Sequence, residues 1–366
     1  MKKVLLYIFL AILFLAVASF AYAYKKLKQS IQIPPLTEIT AVTGIVKPYV
    51  DNEMTKGLSI GVYKDGKIEF YNYGICSDEN PVLPTENTIY EIGSITKTFT
   101  GAVLAEMVTE GKVKYEDPIA KFLPDSVCNW SPEKAITLEE LSTHTSGLPR
   151  LPDNLTKHFL ADLDNPYKNY STEDMYAFLK KYPSKSKSAR KSEYSNLGVG
   201  LLGHILAKVD EKSYEAMVTD RIFNPLKMDN SSIAITEGQL VQGHDALGYP
   251  TSQSDFQAMA GAGAIRSSIA DMMKYLVANL SNKKPYADTH NPRKDMSSFQ
   301  KIGLAWISQK NDDMKITWHN GRTGGFCTFM GFSKDKNVGV IVMANSTQSV
   351  DVIGIRLLQF LIKPQS

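Results

Sequence analysis

The sequence predicts an α/β (α+β) fold: one antiparallel sheet built from both chain ends and flanked by helices, with an inserted all-helical domain. Three observations lead there. Residues 58–74 alternate in polarity on both sides of Asp65-Gly66, a hairpin signal. From Thr98 to about Leu280 the apolar period is helical. After residue 300, short strand-like runs return. A single sheet that collects both ends, with the helical stretch inserted, is the economical way to bury both sets of apolar faces. At 366 residues and 43% hydrophobic content the chain can fill such a core, and it carries no internal repeat.

The elements follow in order. "MKKVLLYIFLAILFLAVASFAYAY", residues 1–24, has a basic start and an unbroken apolar run. Ala21-Tyr22-Ala23 suits signal-peptide cleavage. As an uncleaved helix the run from Val4 to Tyr24 would span about 31 Å, enough for a membrane anchor, and Lys25, Lys26 and Lys28 suit that flank. Either alternative exports the chain from residue 25 onward, to the periplasm or to the outer side of the membrane. No cysteine lies near this segment, so it is not a lipoprotein signal.

Residues 25–40, with Pro34-Pro35, read as a linker. A short helix precedes the hairpin "LSIGVYKDGKIEFYNYG". Helices are expected over 99–109, 138–143, 172–181, 197–209, 214–223 and 269–280. Strands are expected at "KIGLAWIS", "MKITWH", "FCTFMGFS" and "VGVIVMAN", and a last helix over 350–361. Residues 41–115 and 292–366 would then form the sheet domain and 116–291 the helical domain, with the active site at their seam.

Net charge is +3, and removing residues 1–24 takes away Lys2 and Lys3 and leaves the chain near neutrality. That balance argues against a nucleic-acid partner, which needs a dense basic surface. Cys76, Cys128 and Cys327 are too few and scattered for a disulfide scaffold; one bridge with a free thiol, or three free thiols, both fit. Cys327, in an alternating apolar strand, reads as a small core residue. The six histidines lack zinc-type spacing, and no metal or cofactor is expected.

Ser-x-x-Lys occurs at Ser94, Ser131, Ser184, Ser188, Ser281, Ser298 and Ser333, so the motif alone cannot choose. "GLSIG" around Ser59 matches the G-x-S-x-G nucleophile elbow, but that elbow needs a strand before the serine and a helix after it. Here a helix precedes and a hairpin follows, which makes Ser59 a strand residue. Ser94, in "YEIGSITKTF", has better surroundings. Gly93 permits a tight turn, and a helix then carries Ser94 and Lys97 on one face. In the first turn, free N–H groups can stabilise an oxyanion. The bland alternative is a helix-capping serine beside an exposed lysine.

Two further stretches shift that balance. "EYSNLGVGLLGHIL" puts Tyr194 and Asn196 at the head of an apolar helix, although Tyr167-Lys168-Asn169 shows that Tyr-x-Asn also arises by chance. "WHNGRTGGFCTFMGF" has His319-x-Gly321 at a strand end, where glycines permit close backbone approach and an edge for a peptide-like substrate.

In this order and on these elements, the three stretches resemble the serine β-lactamase and penicillin-binding protein superfamily, in the branch of class C β-lactamases, D-alanyl-D-alanine carboxypeptidases and esterases. The resemblance covers about residues 40–362, including "LSTHTSGLP", "GAGAIRSSIADMMKYL" and "VGVIVMANS". It implies the β-lactamase/transpeptidase-like fold and an acyl-hydrolase acting on a small-molecule or peptidoglycan-type substrate without a cofactor. Ser94 would be the nucleophile, Lys97 its activating partner and Tyr194 the general base or proton relay. Asn196 would bind the substrate amide, and His319 and Gly321 fall in the third motif. The backbone N–H groups of Ser94 and Arg322 would form the oxyanion hole.

Two departures matter. β-Lactamases of this branch begin the third motif with lysine, and here it is His319; an imidazole of ordinary pKa near 6.5 is mostly neutral at pH 7 and attracts a carboxylate less. That favours peptide or ester substrates over β-lactams. The loop "PSKSKSARKSE" replaces a short Pro-Gly turn, and Lys185, Lys187, Arg190 and Lys191 are read as a solvated loop or as a basic lip that steers anionic wall fragments. His144 is expected to cap or brace a helix end. The rival function is a non-catalytic wall sensor or binding protein of the same fold.

Overall fold

A computed structural model describes residues 34–51, 55–79, 81–234, 240–311 and 314–363. The expected signal or anchor lies outside the described residues, as does most of the linker. No helix among the described residues is long and apolar enough to cross a membrane. The chain divides into two compact units, residues 1–52 and 53–366. The first contributes helix α1 (Val42–Asp51).

The second unit holds the sheet, which ends at one edge on β5 (Lys294–Asp295) and has the strand order β2-β1-β10-β9-β8-β7-β6-β5. β1 (Gly57–Lys64) and β2 (Lys67–Gly74) form the expected hairpin, with Asp65 and Gly66 at φ 49° and 85° as a two-residue turn requires. β1 then pairs with β10 (Val338–Ala344), which pairs with β9 (Cys327–Ser333), and β9 with β8 (Met314–Arg322). Every pairing is antiparallel, and the first hairpin joins the C-terminal strands directly. That is the sheet of both chain ends read from the sequence.

β9 and β10 are buried throughout, because helices cover both faces. Gly339 leaves room for Leu276 of helix α8 (Ile269–Leu280). Gly339 pairs with Phe332, so Phe329, three residues along β9, points to the other face. There it packs on Gly354 of helix α9 (Asp351–Ile362).

The helical stretch supplies α2 (Thr96–Thr109), α3 (Leu138–Ser142), α4 (Thr156–Ala161), α5 (Thr172–Lys181), α6 (Asn196–Val209) and α7 (Tyr214–Val218), which continues as a π turn to Phe223. Local chemistry fixes their starts. Thr137 with Glu140 and Ser171 with Asp174 form capping boxes, and Ser195 and Ser268 cap α6 and α8. α2 is apolar on nearly all sides and buried accordingly, with Phe99 stacked on Tyr275 at 3.8 Å.

Several expectations need correction. "KIGLAWIS" is not one strand. It breaks into β6 (Gln300–Ile302) and β7 (Ile307–Asn311), because the backbone between them bonds elsewhere: Leu304 N–H to Thr289 O at 2.8 Å and Ala305 N–H to Ser142 O at 3.1 Å. A second sheet of two strands, β3 (Ile89–Glu91) and β4 (Arg266–Ser268), was not foreseen. Arg190 belongs to neither a solvated loop nor a basic lip. Its side chain is buried, and Nη1 donates to Glu140 at 2.7 Å. Lys185, Lys187 and Lys191 are exposed. All three cysteines are free thiols, and Cys327 is a buried strand residue as expected.

β8 approaches the turn before α2 very closely. A Cβ on Gly321 would lie 2.0 Å from Ile92 O and 2.4 Å from Thr328 Oγ1. Gly321→Ala should therefore lower stability by about 1–3 kcal/mol, the usual range for forced overpacking. Gly324→Ala, three residues on, meets its nearest atom at 3.7 Å and should melt close to wild type. Equal melting temperatures for the two variants would contradict this packing.

Candidate active site

Ser94 occupies a 3-10 turn, Gly93–Ile95, that leads into α2 rather than the first turn of α2 itself. The turn rests on Gly93, at φ +52°, where a Cβ would come within 2.7 Å of Arg322 N. Close approach therefore brings the backbone N–H of Arg322, at the end of β8, beside the Ser94 turn. One helical step later, Lys97 places Nζ 3.0 Å from Ser94 Oγ and donates to Ala262 O at 2.6 Å. Lys97 is fully buried. Burial, and then the positive charge of Arg150, hold its amine well below the usual lysine range.

Tyr194 closes the site from the head of α6. Lys97 Nζ lies 5.0 Å from its ring centroid. Burial pushes the phenol up to about 12, against the lowering effect of a hydrogen bond with Ser94. Asn196 begins α6, with its backbone N–H on Arg150 O at 3.0 Å. Its Nδ2 donates to Tyr167 Oη at 3.4 Å, and its buried Oδ1 has no hydrogen-bond partner among the described residues.

His319 faces the same space from β8, its ring 6.3 Å from that of Tyr194. Nδ1 lies 2.6 Å from the backbone oxygen of Asn320. A carbonyl only accepts, so Nδ1 carries the proton and the buried Nε2, without a partner among the described residues, is an acceptor. The expectation of an ordinary imidazole is thus corrected: burial, then Lys97, hold His319 down to about 3. The β8–β9 ladder runs without a bulge through residue 322, so Arg322 points away from the His319 face, and its side chain is exposed.

The structure therefore brings Ser94, Lys97, Tyr194, Asn196, His319, Gly321 and the Arg322 backbone together. It does not include Ser59, whose hydroxyl is buried in β1 against Tyr90 Oη at 3.0 Å. Three further neighbours complete the site. His144 braces a helix end as expected, the head of α6: Nδ1 accepts from Ser195 N–H at 3.2 Å, and its ring packs 4.4 Å from Tyr194. Tyr167, dismissed above as part of a chance Tyr-x-Asn, lines the site beside Asn196 and stacks on Phe256 at 4.9 Å. Arg150 sets its guanidinium 4.9 Å from the Tyr194 ring centroid. The only sequence signal for His144 and Arg150 was their place in or next to "LSTHTSGLP".

A serine and a buried amine in hydrogen-bond contact, closed by a tyrosine and flanked by backbone N–H groups, make up the candidate site. The Beta-lactamase family model matches residues 42–362, and the chain belongs to that family of hydrolases. It is 26% identical to a β-lactamase of Pseudomonas fluorescens, over 83% of this chain and 92% of that protein. It is also 26% identical to the D-alanyl-D-alanine-carboxypeptidase/endopeptidase AmpH of Escherichia coli, over 84% of this chain and 85% of that protein. A class C β-lactamase structure from Rhodobacter sphaeroides shares the fold with a TM-score of 0.74 at 24% identity, covering 88% of this chain and 98% of that one.

His319 also makes stability depend on pH. Its folded value of about 3 lies below the ordinary 6.5, so between the two the unfolded chain binds a proton that the folded chain does not. The cost is absent above about pH 6.5 and grows as pH falls toward 3, by up to about 1.4 kcal/mol per pH unit. His319→Asn should flatten the acid limb of a stability–pH curve by that amount. An unchanged slope would mean that His319 titrates normally in the folded protein.

Proposed function

We propose that the chain is an exported serine acyl-hydrolase that works through a Ser94 acyl-enzyme on peptide (D-Ala-D-Ala type), ester or β-lactam bonds. The observation that carries this reading is the buried Lys97 amine, 3.0 Å from Ser94 Oγ and held well below the usual lysine range by its surroundings. A neutral amine has a lone pair, so the Ser94 hydroxyl can donate its proton to Nζ while Oγ attacks the acyl carbon. The N–H groups of Ser94 and Arg322 would hold the oxyanion.

Tyr194, at about 12, is a phenol at working pH, which makes Lys97 the better base. Tyr194 then relays the proton from Lys97 to the leaving group as the tetrahedral intermediate collapses and the bond to that group breaks. Water then attacks the acyl carbon, its proton passing through the same groups to Ser94 Oγ as the bond from Oγ to the acyl carbon breaks and the acid leaves. Asn196 Oδ1, buried and unpartnered among the described residues, suits a substrate amide N–H. Export rests on the apolar segment of residues 1–24. The peptide-bond option is supported by the name of the Escherichia coli relative.

Ser94→Ala should lose on the order of 10⁶ in turnover, and Tyr194→Phe roughly 10²- to 10⁴-fold, each with the fold intact. The measurement is hydrolysis of an activated ester together with intact-mass spectrometry of a penicillin-treated sample. No adduct on the Ser94 peptide, or an active Ser94→Ala variant, would leave the non-catalytic binding protein as the better account.

The neutral His319 favours ester or peptide substrates over β-lactams, because it offers a carboxylate no cation on the strand side. His319→Lys should raise kcat/KM selectively for a carboxylate-bearing β-lactam over an uncharged ester, by an amount worth about 1–4 kcal/mol depending on local dielectric. Wild type should show no such rise as pH falls through 6.5, since His319 stays neutral there. Equal effects on both substrates would remove charge at this position as the specificity determinant.

A further inference from the structure

The interior of the site disfavours charge. Lys97 is held below its usual range, His319 and His144 are held neutral, and Tyr194 is a phenol. Arg150 sets a permanent cation beside it. Its guanidinium lies over the Tyr194 ring at 4.9 Å, on the helical wall of the site and not on β8. The residue is exposed, and no ion pair to it occurs among the described residues. Its backbone is fixed, since Arg150 O accepts the N–H groups of Asn196 at 3.0 Å and of Leu197 at 3.3 Å. The stem of the guanidinium is thereby tied to the residue whose open Oδ1 faces the substrate space.

An exposed arginine usually finds an acidic neighbour or points into solvent, and this one lies against the face of a buried ring. A guanidinium over a ring face keeps its N–H donors for a carboxylate, since the contact with the ring uses its charge and not its hydrogen bonds. Its charge reaches Lys97, His144, Tyr167 and Tyr194, groups on several elements around the nucleophile.

We propose that Arg150 is a specificity-determining residue, which receives an anionic group of the substrate on the helical wall beside Asn196. The substrate class is an acyl compound carrying a carboxylate on its acyl portion. The recognising cation has moved, in effect, from the head of the third motif to the opposite wall. This rests on the Ser94 acyl-enzyme reading and deepens it.

The probes are two nitrophenyl esters of a five-carbon diacid, with the far end either a free carboxylate or capped as a carboxamide. Wild type should prefer the carboxylate ester in kcat/KM by roughly tenfold, and added salt should erode that preference. Arg150→Gln should abolish the preference, Arg150→Glu should invert it, and Arg150→Lys should restore part of it. A general loss of structure would slow both esters alike, so the ratio isolates recognition. Inhibition of wild type by glutarate but not by glutaramide gives a readout that needs no variant.

If the ratio is the same in wild type, Arg150→Gln and Arg150→Glu while the acyl group is still found on Ser94, Arg150 recognises nothing and the hydrolase reading stands. If wild type shows no preference and glutarate does not inhibit, the proposal also falls. Absence of any acyl group on Ser94 in wild type would overturn both.

Discussion

Burying a lysine amine inside the protein is the constraint on which the rest of the site depends. A buried ammonium without a carboxylate partner costs several kcal/mol, and the cost is relieved by releasing the proton. Lys97 can be buried because α2 is apolar on nearly all sides and is enclosed by other helices and by the sheet. Ala262 O, in a turn far along the chain, gives the amine one acceptor, and Ser94 is the other contact. Core packing, which would be needed for stability in any case, thus lowers the proton affinity of the Lys97 amine.

The same enclosure explains why the neighbouring groups are neutral. Burial is the largest cause of the shifts at Lys97, Tyr194, His144 and His319 alike. In such an interior the oxyanion of an acyl transfer would meet fixed backbone dipoles and little competing charge, the condition under which preorganised donors act most strongly. Permanent charge is left to the rim, where Arg150 lies over the outer partner of the catalytic group, Tyr194. The buried pair Arg190–Glu140 serves a different end, holding the loop before Tyr194 against α3.

Close backbone approach is the second requirement. Gly93 and Gly321 let the Ser94 turn and β8 come together at distances that no side chain would allow. The contact joins a residue from the first part of the chain to one from the last, and the two-ended sheet makes that possible.

Much of this was legible in the sequence because the signals are local. The Asp65-Gly66 turn and the helical period of residues 172–181 and 269–280 act on neighbours a few residues away. The grouping of Ser94, Lys97, Tyr194, Asn196 and His319 was legible as an ordered set of motifs. What the sequence could not supply is which groups lose contact with water. The neutrality of His319, the identity of the helix that His144 braces, the ion pair that buries Arg190 and the place of Tyr167 beside Asn196 all follow from burial by distant segments. The break of "KIGLAWIS" has the same origin, since backbone bonds to Thr289 and Ser142 outweigh its strand pattern. Periodicity and turn chemistry are properties of neighbouring residues, and so the sequence alone determined the elements and the motif order. Desolvation is a property of the assembled chain, and so only the tertiary structure decided the charges with which the site works.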